Sequence, residues 1–294
     1  MSEARGVRAG VIGLGDIGRG VARSCLEDGL KVSVCDIRAE ALAPFADEAV
    51  TTSSPAELAR DCDVVVIAVV NDAQVLSVTT DGDGVLSTAT PGTVLMVVST
   101  ISPTTLATVA EAAAAVGVRV VDCGVSGGPS AAAAGELICM VGGDEQDLEV
   151  AAPVLDAMGS LVVRMGDLGT GLIAKLARNA VQYGGWLAAY EGAQIAEAAG
   201  VEIAKLVEVI KASDAKIGGV TTLLLRPTVE QFGPDDDKGF IAAMAAGASL
   251  AAKDLAAALA TAHELGLTLP GVAATEEQIQ RVFGVAEVES EEGR

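Results

Sequence analysis

The run Val7–Ile12 passes straight into Gly13-Leu14-Gly15-Asp16-Ile17-Gly18, and the apolar-periodic segment Ile17–Leu26 begins inside that glycine pattern. Gly29 marks the end of the helix, and a second β-branched run, Lys31–Cys35, stops at the acid Asp36. Strand, glycine turn, helix, strand and terminal acid together form the context of a dinucleotide-binding βαβ unit. Gly13 permits the tight turn, Gly15 lets a pyrophosphate approach the backbone, and Gly18 lets helix and strand pack closely. The helix N-terminus adds unpaired N–H groups and the positive end of its dipole. Gly13, Leu14, Gly15, Asp16, Ile17 and Gly18 are therefore candidate cofactor contacts.

Asp36 suits the hydroxyls of an adenosine ribose. A 2′-phosphate there would meet a like charge, worth about 4 kcal/mol for unit charges roughly 4 Å apart at an intermediate effective dielectric. Arg38 lies two residues on and carries a guanidinium able to clamp such a phosphate. The pair predicts NAD, with NADP possible.

The alternation continues with helical Ala39–Ala46, a short strand Ala49–Thr51 and a short helix Pro55–Arg60. Asp63–Val69 and Thr93–Val98 are near-continuous apolar runs, as expected of central parallel strands covered on both faces. Asn71 and Ser102 read as helix N-caps, with Pro103 in the first turn of the second helix. Ligands of open parallel sheets bind beyond the carboxyl ends of the strands. Val70, Asn71 and Thr100 thus join the glycine turn as cofactor candidates. Val118–Val121 reads as a sixth strand, followed by a loop from Asp122 to Pro129. Successive N–H groups in such a loop can form an anion-binding concavity, with the Ser126 hydroxyl as a further donor; an ordinary turn is the plainer reading. Glu136–Val141 and Leu161–Val163 complete the strands, with the helix Glu145–Met158 between them.

From Gly169 onward the pattern is almost wholly helical. A long helix runs to about Ala199, and Ile203–Ala212, Ala242–Leu265 and Val272–Val282 follow. Gly171, Lys175 and Asn179 are spaced four apart and share one helix face. A cation, an amide and bare backbone on one face suggest that it looks across a cleft at the first half, with Lys175 doing proton chemistry.

Composition narrows the chemistry. The only histidine is His263, in an Ala-rich helical pattern, which removes multi-histidine metal centres and leaves little room for a histidine base. The five cysteines form no Cys-x-x-Cys, against a disulfide framework or zinc site, so no metal is expected. Cys123 stands beside the Ser126 loop. A net charge of −21 disfavours nucleic acid. No uninterrupted apolar run reaches the ~18–20 residues of a membrane span. A cytoplasmic protein is expected. The Ala-rich helical faces predict a homo-oligomer, dimer or tetramer.

These motifs together resemble the β-hydroxyacid dehydrogenases, the family of 3-hydroxyisobutyrate dehydrogenase, tartronate semialdehyde reductase and 6-phosphogluconate-using relatives. The resemblance spans roughly residues 7–283. It rests on the glycine turn, Ser99-Thr100-Ile101-Ser102-Pro103, Asp122-x-x-Val125-Ser126-Gly127-Gly128, Gly171-x-x-x-Lys175-x-x-x-Asn179 and Lys253-Asp254-Leu255. It implies an α/β fold: a Rossmann-like N-terminal domain with a mostly parallel sheet (1–167), then an all-α C-terminal domain (168–285). An acidic tail, 286–294, reads as disordered. The resemblance further implies that Ser126, Gly127 and Gly128 hold a substrate carboxylate, with Thr100 beside them. Lys175 would be the acid/base, Asn179 would orient substrate, and Thr100 and Lys253 would line the nicotinamide end. The substrate would be a small β-hydroxy acid or its semialdehyde. Cys123-Gly124 stands where the family usually has Ala-Pro, and Gln182 where 6-phosphogluconate enzymes carry an acid. An imine reductase or a non-catalytic dinucleotide-binding module are the competing readings. The first usually carries Asp or Tyr in place of the lysine, and the second would have no need of it.

Overall fold

A computed structural model describes residues 6–224, 228–233 and 235–285. The expected acidic tail lies outside the described residues. The chain divides into two compact units between Arg178 and Asn179, within one long helix.

The first unit alternates strand and helix. It runs β1 (Arg8–Ile12), α1 (Asp16–Glu27), β2 (Lys31–Cys35), α2 (Ala39–Leu42), β3 (Val50–Thr51), α3 (Pro55–Ala59), β4 (Val64–Ile67) and α4 (Asp72–Thr80). It continues with β5 (Val94–Val97), α5 (Pro103–Ala115), β6 (Arg119–Ser126), α6 (Gly128–Ala133), β7 (Leu137–Gly142), α7 (Glu145–Met158) and β8 (Gly159–Gly166). Then α8 (Thr170–Ala198) begins, and it carries the chain into the second unit.

One sheet holds all eight strands in the order β3-β2-β1-β4-β5-β6-β7-β8. Pairing is parallel from β3 through to β6, antiparallel between β6 and β7, and parallel again between β7 and β8. The order reverses direction between β1 and β4, the kind of switch point at which open α/β sheets bind ligands. β4 and β5 are buried at every position, as their unbroken apolar sequences require. Their side chains alternate between two cores. Val64, Val66, Val94 and Met96 join one, and Val65, Ile67, Leu95 and Val97 the other.

Two local expectations change. The helix expected over Ala39–Ala46 shortens to α2 and a 3₁₀ turn at Ala43–Phe45, since Pro44 has no N–H to continue an α-helical ladder. The loop expected from Asp122 is strand as far as Ser126. It pairs with β7 in the register Asp122↔Gly142 to Ser126↔Ile138. The ladder offered by β7 outweighs the turn-rich composition of that stretch.

The second unit contains the rest of α8, α9 (Ile203–Ile217), α10 (Lys238–Glu264) and α11 (Pro270–Val282). Among the described residues α10 is the one helix long and apolar enough to cross a membrane, with a mean hydropathy of 1.4. Lys253 and Asp254 interrupt its sequence, so it contains no continuous apolar run of that length. Within this unit α11 starts with no cap of its own. The buried carboxylate of Glu191, on α8, does that work, accepting from Gly271 N at 2.8 Å and Val272 N at 2.7 Å. Glu191→Ala removes the acceptor of both N–H groups and should cost about 1–3 kcal/mol. A lower urea midpoint checks this, and an unchanged one would show that the cap contributes nothing.

Candidate active site

The turn after β1 does what its three glycines suggest. Gly13 has φ +89°, a left-handed conformation that glycine adopts without steric cost. A Cβ on Gly18 would collide with the Gly13 carbonyl oxygen, so α1 packs on the turn only with glycine there. A Cβ on Gly15 would meet nothing within 4 Å, which leaves the backbone face at the head of α1 open.

At the end of β2, Asp36 is already engaged. Its Oδ2 accepts from Leu14 N at 2.7 Å and from Arg38 Nη2 at 3.0 Å. Its Oδ1 accepts from Arg38 N at 2.9 Å and Arg38 Nε at 3.0 Å. Burial works to raise the carboxyl pKa, but the Arg38 guanidinium and the two backbone N–H groups outweigh it and hold it below the ordinary carboxylate value. Asp36 therefore ties the glycine turn to the second strand and presents a fixed negative charge.

The ends of β4 and β5 are tied to each other. Ser99 donates through Oγ to the Val69 carbonyl at 2.7 Å. Asn71 caps α4 by accepting from Gln74 N at 2.9 Å, while Gln74 Oε1 accepts from Val70 N at 2.9 Å. Asp72 Oδ1 accepts from both Ser102 N (2.9 Å) and Ser102 Oγ (2.7 Å). The hydroxyls of Thr105 and Ser102, with the Ser102 N–H, hold the Asp72 carboxyl down to about 2. Thr100 thus lies between two anchored residues, Ser99 and Ser102. Sequence reading passed over Ser99 and Asp72 as anchors; the acid one place after the Asn71 cap was the available signal.

Strand β6 presents Asp122, Gly124 and Ser126 on one face and Cys123 and Val125 on the other, by the two-residue period of a strand. Val121, Cys123 and Val125 enter a core. Gly124 lies against the first turns of α8: a Cβ there would be 2.6 Å from Gly171 O and 2.7 Å from Lys175 Cβ. Ser126 follows on that same face, and Gly127 (φ +117°) turns the chain into α6. Lys175 reaches back to the end of β5, donating from Nζ to Thr100 Oγ1 at 2.6 Å. Burial lowers its pKa from the ordinary lysine value, against an opposing pull from the Cys123 thiol.

The structure thus brings together Lys175 and Thr100, and, separately, Leu14, Asp36 and Arg38. Asn179 and Lys253 belong to the second unit, where Lys253 is exposed with its Nζ 3.7 Å from Asp254 Oδ1. His263 is also exposed on α10. All five cysteines are buried free thiols. A cleft of about 830 Å³ in the second unit is lined by residues such as Val220, Phe232, Phe240 and Met244, and contains none of the candidate site residues. No cluster of metal-ligating side chains occurs among the described residues.

Residues 8–169 match the family model described as the NAD binding domain of 6-phosphogluconate dehydrogenase. Residues 169–292 match that described as NAD-binding of NADP-dependent 3-hydroxyisobutyrate dehydrogenase. The chain belongs to the β-hydroxyacid dehydrogenase family.

Relatives of this dehydrogenase include an uncharacterised oxidoreductase of Mycobacterium tuberculosis, 36% identical over 90% of this chain and 88% of its own. A probable mitochondrial 3-hydroxyisobutyrate dehydrogenase of Dictyostelium discoideum is 33% identical over 90% of this chain and 82% of its own. The crystal structure of a candidate oxidoreductase of Mycobacterium avium superposes with a TM-score of 0.84 at 35% identity, covering 95% of this chain and 99% of the other. An imine reductase of Streptomyces aurantiacus gives a TM-score of 0.76 over 93% of each chain, but at 17% identity it shares the fold alone.

The protein is accordingly an NAD(P)-dependent oxidoreductase acting on CH–OH groups. Its own residues fit that cofactor. The open face at Gly15 and the glycine-only packing at Gly18 suit a pyrophosphate, and Asp36 suits the adenosine ribose. Asp36→Asn removes the charge that opposes a 2′-phosphate, so the kcat/KM ratio of NAD to NADP should fall by about tenfold or more, at roughly 1.4 kcal/mol per factor of ten. Steady-state kinetics with both cofactors checks it, and an unchanged ratio would remove Asp36 from cofactor discrimination.

Proposed function

We propose that this dehydrogenase moves a hydride between the nicotinamide and a small β-hydroxy acid of the 3-hydroxyisobutyrate type, or its semialdehyde, with Lys175 as general acid/base. The observation that carries this reading is the 2.6 Å contact from Lys175 Nζ to Thr100 Oγ1. It puts an amine with a lowered pKa at the carboxyl end of β5, on the ligand-binding edge of the sheet.

The chemistry supplied by the nicotinamide, when bound, is hydride transfer. The remaining work falls to side chains. Neutral Lys175 takes the hydroxyl proton at Nζ as the substrate C–O bond becomes a carbonyl, and the resulting ammonium polarises that carbonyl in the reverse direction. Burial makes this practical, since a free lysine, with a pKa of about 10.4, is a poor base near neutrality. Ser126, on the β6 face whose Gly124 lies against α8, and Gly127 and Gly128 at the head of α6 hold the substrate carboxylate. Asn179, one turn beyond Lys175, orients the substrate, and Thr100 and Lys253 serve the nicotinamide end.

In this reading residues 1–167 bind the cofactor, while 168–285 complete the substrate site and join subunits. The exposed Tyr183, Trp186, Leu187 and Tyr190 of α8 support burial against a second copy in a cytoplasmic homo-oligomer. Sedimentation equilibrium at micromolar concentration should show a dimer or tetramer, and a monomer alone would exclude it.

Lys175→Met should lower kcat by about 10²–10⁴-fold, the usual range for a lost acid/base. The Kd for NAD should stay near the wild-type value. In the wild type, oxidation needs the neutral amine, so its kcat/KM should rise with pH and level off below about 10.4. Reduction needs the ammonium and should fall across the same range. Near-normal turnover by Lys175→Met on 3-hydroxyisobutyrate would remove Lys175 from the mechanism.

A further inference from the structure

Asp122 is an acid in the middle of a buried strand, fully shielded from solvent, and the chemistry above gives it no task. A carboxylate in such a place needs partners. It has them at the start of α8: Oδ1 accepts from Gly169 N and Oδ2 from Leu172 N, each at 2.6 Å. These donors are the residue preceding the helix and the third residue within it, the two N–H groups that a local capping box would satisfy, one from a Ser or Thr at the cap and one from a Glu or Gln three places on. Gly169 has no side chain with which to do so, and a strand 47 residues earlier supplies the oxygen atoms. The acid also meets the positive end of the helix dipole.

A second observation concerns depth. A Cβ on Gly171 would strike the Met140 carbonyl and come 2.9 Å from Asp122 Oδ2. A Cβ on Gly124 would stand 2.6 Å from Gly171 O and 2.7 Å from Lys175 Cβ. The first turn of α8 therefore rests on β6 and β7 with only the Asp122 side chain between. The Lys175 side chain leaves the helix one turn beyond this contact and ends on Thr100.

We propose that Asp122, with Gly124 fixing the depth, is the positioning residue for Lys175: its clasp on the first turn of α8 sets where the lysine nitrogen stands. The proposal rests on the reading of Lys175 as the acid/base. Asp122 acts through the backbone it holds. The main influence on the amine is its burial, and the Asp122 charge is not among the causes of its lowered pKa. A displacement of about 1 Å at a reacting group can cost of order 10²-fold in rate, so a loosened clasp is readable in kcat.

The test compares the full-length wild type with Asp122→Asn, Gly124→Ala, Lys175→Met and the double variant Asp122→Asn/Lys175→Met. One readout needs no substrate: ¹⁵N NMR titration of the lysine side-chain nitrogens, with the Lys175 signal identified by its loss in Lys175→Met. The second is kcat and KM for oxidation of 3-hydroxyisobutyrate, with the Kd for NAD.

In Asp122→Asn the Lys175 titration should move up towards that of a solvated lysine. Its kcat should fall about 10–100-fold, with KM and the Kd for NAD within about twofold. Added to Lys175→Met, Asp122→Asn should cause no further loss, because the group it positions is gone. Gly124→Ala keeps the acid, should move the titration the same way, and carries the test if Asp122→Asn does not fold. An unmoved Lys175 titration in the folded variants overturns the proposal, as does an equal loss of kcat in both lysine backgrounds. If Lys175→Met turns over normally, the acid/base reading fails instead, while the NMR titration still reports on the clasp.

Discussion

A buried carboxylate at the head of a 29-residue helix ties the helix that carries Lys175 to the sheet. Asp122 lies on β6, α8 carries Lys175, and the far end of the lysine side chain lies at the end of β5. Three segments remote in sequence meet through hydrogen bonds of 2.6 Å. Helices are stiff over a single turn, so fixing the first turn fixes the residue one turn on. The glycines at 124 and 171 make the contact backbone to backbone, which transmits position with less slack than long side chains allow.

The second unit uses the same device. There Glu191 supplies both oxygen atoms to the start of α11, as Asp122 does for α8. In each case an acid from another element caps a helix that has no local cap. α4 and α5 are capped from within, by Asn71 and Ser102. A local cap sets where a helix begins along the chain. A borrowed one also sets where it sits against its neighbour.

That difference explains what could be read from the sequence. The glycine turn, the two local caps and the apolar runs of β4 and β5 are short-range patterns, and the structure has them where those patterns lie. The extension of β6 to Ser126 was hidden, because a stretch rich in glycine reads as a turn until β7 is present to pair with it. Asp122 could be seen as part of a motif but not as a cap, since its partners lie about fifty residues later. The reach of Lys175 to Thr100 spans 75 residues and follows from the docking of α8, which no local pattern encodes. An acid inside an otherwise apolar strand was the one local sign that something distant had to meet it.

The salt bridge at the end of β2 has its own consequence. A carboxylate offers about four acceptor positions, and Asp36 uses them on Leu14 and Arg38. If Asp36 is the ribose acceptor, an adenosine ribose would arrive as a competitor for acceptor positions already in use. Arg38 would keep the charges of Asp36 and Glu40 beside it even then. On that reading the selectivity between the two dinucleotides would be governed by how firmly this one pair of side chains holds together.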